Sequence, residues 1–247
     1  MGVHVPPGFD ATRRPGVVVY FHGWNGCVQA ALGDDDVPCR EDGEARVASH
    51  LGAQLDAARV NALLVAVELR VDEPTGEVGA LAMPGGLRAL LRELFDEHLT
   101  AALGEGCPLE VDALDRVVVV AHSGGYQAAA TVAARGDVPA MRELVLLDAL
   151  YGGDDVFARW AEPSFDAPRR RFVDLYTCCG GTLERSRALA GVAAGRATFD
   201  DDGDSELSPA ALASPVVFKR VPRPHAELPA AYLGAILEAS GFAPLAP

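Results

Sequence analysis

A single serine closes a strand-like run of valines in RVVVVAHSGGYQAAA, residues 116–130, and an alanine-rich segment of helix-forming character follows at once. A hydroxyl between a buried strand and a helix fits only where the chain turns sharply, and a sharp turn needs small neighbours. Ala121, Gly124 and Gly125 are small. A corner of this kind projects the Ser123 hydroxyl from the sheet edge as a nucleophile, with the N–H of Gly124 facing a reacting carbonyl. The pattern is A-H-S-G-G, with Ala121 where G-x-S-x-G has its first glycine.

A serine nucleophile needs a base. His4, His22, His50, His98 and His122 precede Ser123, and His225 alone follows it. Where the chain order is serine, acid, histidine, His225 in RVPRPHAELP is the base; read in isolation it is an exposed loop histidine. Two aspartates compete for the acid. Asp148 ends the apolar run ELVLL ahead of ALYGG, where a carboxylate at a strand edge could orient an imidazole, although an aspartate there also serves as a turn or helix cap. Asp174 in RFVDLY falls inside a strand, so Asp148 is the better placed. The stretch VVVYFHGWNG supplies a strand and a turn whose N–H groups face the serine corner. The expected oxyanion donors are the N–H groups of Trp24 and Gly124, with His22 a structural hydrogen-bonder in the turn. Trp24, Tyr126, Tyr151, Phe157 and Trp160 are candidate substrate-binding residues, core packing being the other reading of each.

These side chains must be carried by ordered elements. Short apolar runs alternate with amphipathic helical patterns, the signature of an α/β fold with a parallel sheet covered by helices on both faces. Strands are expected over 15–23, 61–69, 116–123, 143–150, 170–176 and 215–221. Val47, Leu51 and Leu55 predict a helix within 44–60, and Leu87, Leu90, Leu91, Leu94, Phe95 and Leu99 share the face of another. Helices are also expected from Gly124 onward, near 182–194 and over 227–239. The chain reads as one domain, 1–247, with an aromatic, irregular, lid-like insertion around 151–169 and an acidic loop over 197–209.

Composition limits the partners. Twenty-one Lys and Arg stand against 35 Asp and Glu, a formal charge of −14, and no basic stripe with interleaved aromatics occurs. Nucleic acid and anionic membranes are excluded as expected partners. No apolar run approaches the roughly 20 residues that span a bilayer, so a soluble chain is expected. The opening MGVHVPPGFD has neither the charged nor the apolar region of a signal peptide. Five cysteines suggest an oxidised, exported setting ahead of a cytosolic one. Cys27 and Cys39 lie close enough to clip the loop between them, Cys178 and Cys179 are adjacent and open to a vicinal disulfide, and Cys107 stands alone. Zinc spacing is absent, and the loop Asp200, Asp201, Asp202, Asp204, Glu206 has its glycine out of place for an EF-hand, so a solvated loop is expected rather than a calcium site.

In chain order, VVVYFHGWNG, AHSGGYQAA, LLDALYG and RPHAELP resemble the α/β-hydrolase superfamily over nearly the whole sequence. The opening VHVPPGFD, followed by a strand ending in His-Gly, is similar to secreted esterases of the feruloyl-esterase and polyester-depolymerase type. The resemblance implies about eight mostly parallel strands, no cofactor, and a Ser-His-acid triad of Ser123, His225 and Asp148. Two departures are Ala121 and an acid that follows the superfamily's sixth strand rather than its seventh. The expected activity is hydrolysis of a carboxylic ester, of a small molecule or polymer, through an acyl-enzyme. Amide hydrolysis by the same triad, and a non-catalytic binding module, are the alternatives.

Overall fold

The computed structural model describes residues 1–41, 43–70, 73–74, 77–99, 109–162, 170–193, 195 and 197–246. Eight strands build one sheet: β1 (Gly2–His4), β2 (Gly16–Phe21), β3 (Ala62–Val67), β4 (Arg116–His122), β5 (Met141–Leu147), β6 (Arg171–Tyr176), β7 (Ala197–Asp200) and β8 (Val216–Arg220). Their order across the sheet is β1-β3-β2-β4-β5-β6-β8-β7. The edge strand β1 runs antiparallel to β3, and every other neighbouring pair is parallel.

The valine-rich runs form central strands because a parallel sheet is covered on both faces, so inward and outward side chains are equally apolar. In β2, Val17, Val19 and Phe21 enter one core while Val18 and Tyr20 enter the other. Helix α1 (Val28–Leu32) lies on the second face, where α2 (Leu51–Ala58) and α7 (Leu228–Ala239) pack together through Leu51, Leu55, Leu233, Ile236 and Leu237. The first face is covered by α3 (Gly86–Glu93), α4 (Tyr126–Arg135), α5 (Asp154–Ala161) and α6 (Leu183–Val192). Each fully buried Leu or Val contributes roughly 1.5–3 kcal/mol. The two cores hold the central strands rigid and leave their carboxyl ends to carry side chains. Among the described residues no helix is long and apolar enough to cross a membrane.

Three expectations are corrected. The helix expected within 44–60 is confined to α2: Ala45–Arg46 pairs antiparallel with Val37–Pro38, His50 takes a left-handed conformation at the helix start, and Val47 is exposed. The Cys27–Cys39 disulfide closes the arm that carries this small hairpin. In the segment expected as an irregular lid, residues 154–161 are the regular helix α5, with acidic residues Asp154 and Asp155 in its first turn. Residues 163–169 of that segment, and Cys107, lie outside the described residues. Finally, the acidic loop begins as the strand β7 and folds around a cation from its own chain. The buried Lys219 ammonium lies 2.7 Å from Asp200, 3.1 Å from Asp202 and 2.7 Å from the Ser205 hydroxyl. Asp200 and Asp202 compensate this buried positive charge, while Asp202, Asp204 and Glu206 remain exposed as a solvated loop would.

Candidate active site

The carboxyl ends of β2, β4, β5 and β6, and the loop after β8, meet at one edge of the sheet, where open α/β sheets bind ligands. At the end of β4 the chain passes through His122 into Ser123, which has φ +53°, and continues through a single 3-10 turn into α4. A left-handed serine is a strained position that lifts the side chain out of the strand-to-helix turn. Gly124 is required here: a Cβ on it would collide with the Pro74 carbonyl oxygen, and would stand 3.3 Å from the Trp24 nitrogen. The turn after β2 approaches from the other side, where a Cβ on Gly23 would lie 2.7 Å from the Ser123 Cβ.

His22 holds that turn. Its Nε2 accepts from the Leu69 N–H at 2.9 Å, which leaves the proton on Nδ1, and Nδ1 donates to the Gly23 carbonyl at 2.8 Å. The Gly26 N–H donates to the same carbonyl at 2.9 Å, and Asn25 turns through a positive φ. The Trp24 N–H is thereby fixed beside the serine corner.

Asp148 follows β5 with φ +47° and is fully buried. It accepts from His225 Nδ1 at 2.7 Å, from Thr177 Oγ1 at 2.7 Å, from the Thr177 N–H at 3.1 Å, and from the Thr182 hydroxyl. Burial alone would raise its pKa, but the bonds from His225, Thr182 and Thr177 outweigh that effect and hold the carboxyl below the usual aspartate range. An ionised Asp148 fixes the His225 proton on Nδ1 and turns Nε2, with its lone pair, toward the cavity. His122 supports the same loop: its Nε2 lies 3.0 Å from the His225 carbonyl oxygen, and the two rings lie tilted by 35° with centroids 4.7 Å apart. Burial, and then the neighbouring His225, push His122 down to about 3, so it stays neutral and its Nε2–H donates to that carbonyl.

Ser123 and His225 line one cavity of about 110 Å³ with His122, Trp24, Arg46 and Val47. Among the described residues the two side chains are not hydrogen-bonded to each other. The Tyr151 hydroxyl instead approaches Ser123, and burial together with the Asp148 charge pushes that phenol up to about 12.

The structure brings Ser123, His225, Asp148 and the Trp24–Gly124 approach to one place. Trp24 is a half-exposed wall of the cavity. Tyr151 faces the serine, and Tyr126 packs behind it with ring centroids 6.1 Å apart. Phe157 and Trp160 correct the expectation: both are buried in the core with Val156 and Ala161, because α5 turns its apolar face onto the sheet. Asp174 lies beneath the site, inside β6 and fully buried. Burial, with Asp148 adding to it and Ser186 opposing, pushes its carboxyl up to about 7. Five contributors were not assigned to the site from the sequence: His122, Thr177, Thr182, Arg46 and Val47. Thr177 and Thr182 are brought onto Asp148 only by folding, and the arm residues Arg46 and Val47 reach the cavity through the disulfide-closed hairpin.

The sheet order, the single antiparallel edge strand, the covering helices and the strained strand-to-helix serine define an α/β-hydrolase fold. No protein-family model matches the chain, and no curated protein matches it. Among solved structures it is similar to a hormone-sensitive lipase from a metagenome library, with 16% identity and a TM-score of 0.44 over 95% of this chain and 77% of that one.

Proposed function

We propose that the protein is a serine hydrolase that cleaves carboxylic esters through an acyl-enzyme. The observation that carries this reading is the left-handed Ser123 at the strand-to-helix turn, sharing a cavity with a histidine whose Nδ1 is bound to a buried, ionised aspartate.

In the first half-reaction Ser123 Oγ swings from Tyr151 toward His225 Nε2, gives up its proton there, and bonds to the substrate carbonyl carbon. The carbonyl π electrons move to oxygen, and the resulting oxyanion accepts from the N–H groups of Trp24 and Gly124. Asp148 stabilises the imidazolium without taking its proton. Collapse of the tetrahedral intermediate expels the alcohol, which collects the proton from His225. Water then repeats the sequence on the acyl-enzyme and restores Ser123. Each oxyanion donor is worth roughly 10²–10³ in rate. The small, partly apolar cavity around Trp24 and Val47 favours a short acyl or alcohol group at the reacting carbon. Aryl and polyester substrates, which the opening of the sequence suggests, are the natural second panel.

The test is hydrolysis of p-nitrophenyl acetate, butyrate and octanoate, and of the matching anilides. Wild type should turn over the short esters with a burst of nitrophenol, and Ser123→Ala should fall to background. Turnover of anilides without esters would replace the ester reading with an amidase one. Equal activity in wild type and Ser123→Ala would remove the serine from the mechanism.

A further inference from the structure

Beside the acid, in TCCGGT, Cys178 and Cys179 are joined to each other. Thr177 and Thr182 bracket this pair, and between them they make three of the four hydrogen bonds that Asp148 accepts, the fourth being that of His225. The segment needs glycine: a Cβ on Gly180 would lie 2.6 Å from Asp148 Oδ2, and Gly181 takes a φ of +88°. Glycines that allow this close approach also leave the chain with the most conformational freedom to lose. A bond between adjacent side chains closes a small ring across their peptide and removes part of that freedom.

The joined sulfurs also form a wall of a second cavity. It measures about 550 Å³ and is lined by Thr177, Gly180, Pro222, Pro224 and His225 as well as the cysteines. Both cysteines are exposed, whereas Thr177 and Thr182 are buried. A small thiol reagent therefore reaches the bond from the solvent side without disturbing the core. His225 stands between this cavity and the one that holds Ser123.

We infer that the Cys178–Cys179 disulfide is a positioning element for the reaction: it stiffens the 177–182 loop that holds Asp148 on His225, and its reduction lowers turnover. The inference rests on the serine-hydrolase reading above. A dithiol reductant supplies two electrons and two protons. The S–S bond breaks, Cys178 and Cys179 become thiols, and the reductant closes to its own disulfide. Neither cysteine touches substrate chemistry; the effect passes through Thr177 and Thr182 to the acid.

The experiment compares wild type before reduction, after dithiothreitol, and after reoxidation, alongside the Cys178→Ser/Cys179→Ser variant with and without dithiothreitol. Kinetics use p-nitrophenyl acetate, and thiol alkylation with peptide mass spectrometry reports which cysteines have opened. Misplacing a catalytic group by about 1 Å costs on the order of 10²-fold, so kcat should fall roughly ten- to hundredfold with KM changed less than about threefold. Reoxidation should restore it, and the double-serine variant should start low and gain no further dithiol-dependent loss. A dithiol effect equal in variant and wild type assigns the sensitivity to Cys27–Cys39 and overturns the inference. So does full kcat in wild type whose Cys178 and Cys179 are shown alkylated, a result that needs no folded variant. Failure of the underlying reading looks different, because oxidised wild type would then lack Ser123-dependent turnover altogether.

Discussion

At the scale of the residue, the site separates two aspartates by environment. Asp148 accepts four hydrogen bonds and is held ionised, whereas Asp174, inside the neighbouring strand β6 and without charged compensation, is pushed toward the neutral form. Only the first can stabilise a protonated His225. Asp148→Asn should leave the loop nearly isosteric but lower kcat by roughly 10³–10⁴-fold, measured against short esters, because an amide cannot hold the ring in the required tautomer. Asp174→Asn should change kcat only a few-fold. The positions of Ser123 and Asp148 at the sheet edge were legible in the sequence because their signals are local: small residues around a hydroxyl at a strand end, and a carboxylate closing an apolar run. Thr177 and Thr182 were not, since a threonine carries no mark of the carboxylate it will meet 29 and 34 residues away in sequence.

At the scale of the element, the serine turn works because two backbone segments pass unusually close. A side chain at Gly124 has nowhere to go between the Pro74 carbonyl and the Trp24 nitrogen. Gly124→Ala should therefore displace the Trp24 turn and cut kcat/KM by at least the roughly 10²–10³-fold value of one oxyanion donor, while circular dichroism shows the sheet retained. Helical and strand periods gave the covering elements well, and erred where a local constraint overrode them. The stripe Val47, Leu51, Leu55 is interrupted because Ala45–Arg46 finds a strand partner and His50 turns left-handed. In α5, the spacing of Val156, Phe157, Trp160 and Ala161 already described one apolar helical face. Aromatic character drew Phe157 and Trp160 toward a pocket that the periodicity assigns to the core.

At the scale of the whole molecule, the buried aspartates Asp148 and Asp174 act on stability in opposite directions. Asp174 has its folded pKa raised to about 7, against roughly 3.9 in an unfolded chain, so the folded state binds the extra proton between those values. Its contribution to stability is fully present below the unfolded pKa and is lost as pH rises toward about 7, at up to about 1.4 kcal/mol per pH unit. Asp148, lowered in the folded state, contributes stability above its unfolded pKa and loses it as pH falls. Urea unfolding from pH 5 to pH 8 should show Asp174→Asn gaining stability over wild type as pH rises, because the amide carries no ionisation penalty. A constant difference across that range would show that Asp174 does not titrate in it. The sheet itself was legible from alternating strand and helix patterns. The cation beneath the acidic loop was not, because Lys219 sits in β8 and meets Asp200 and Asp202 only when β7 pairs beside it.

The proposed reaction depends first on Ser123 being an activated nucleophile. Its most direct test is titration of the oxidised, folded protein with a fluorophosphonate, followed by peptide mass spectrometry to locate the phosphonyl group. One equivalent on Ser123, none on Ser123→Ala, and slow labelling of Asp148→Asn are expected. Label on another residue, or none on wild type that remains folded, would contradict it.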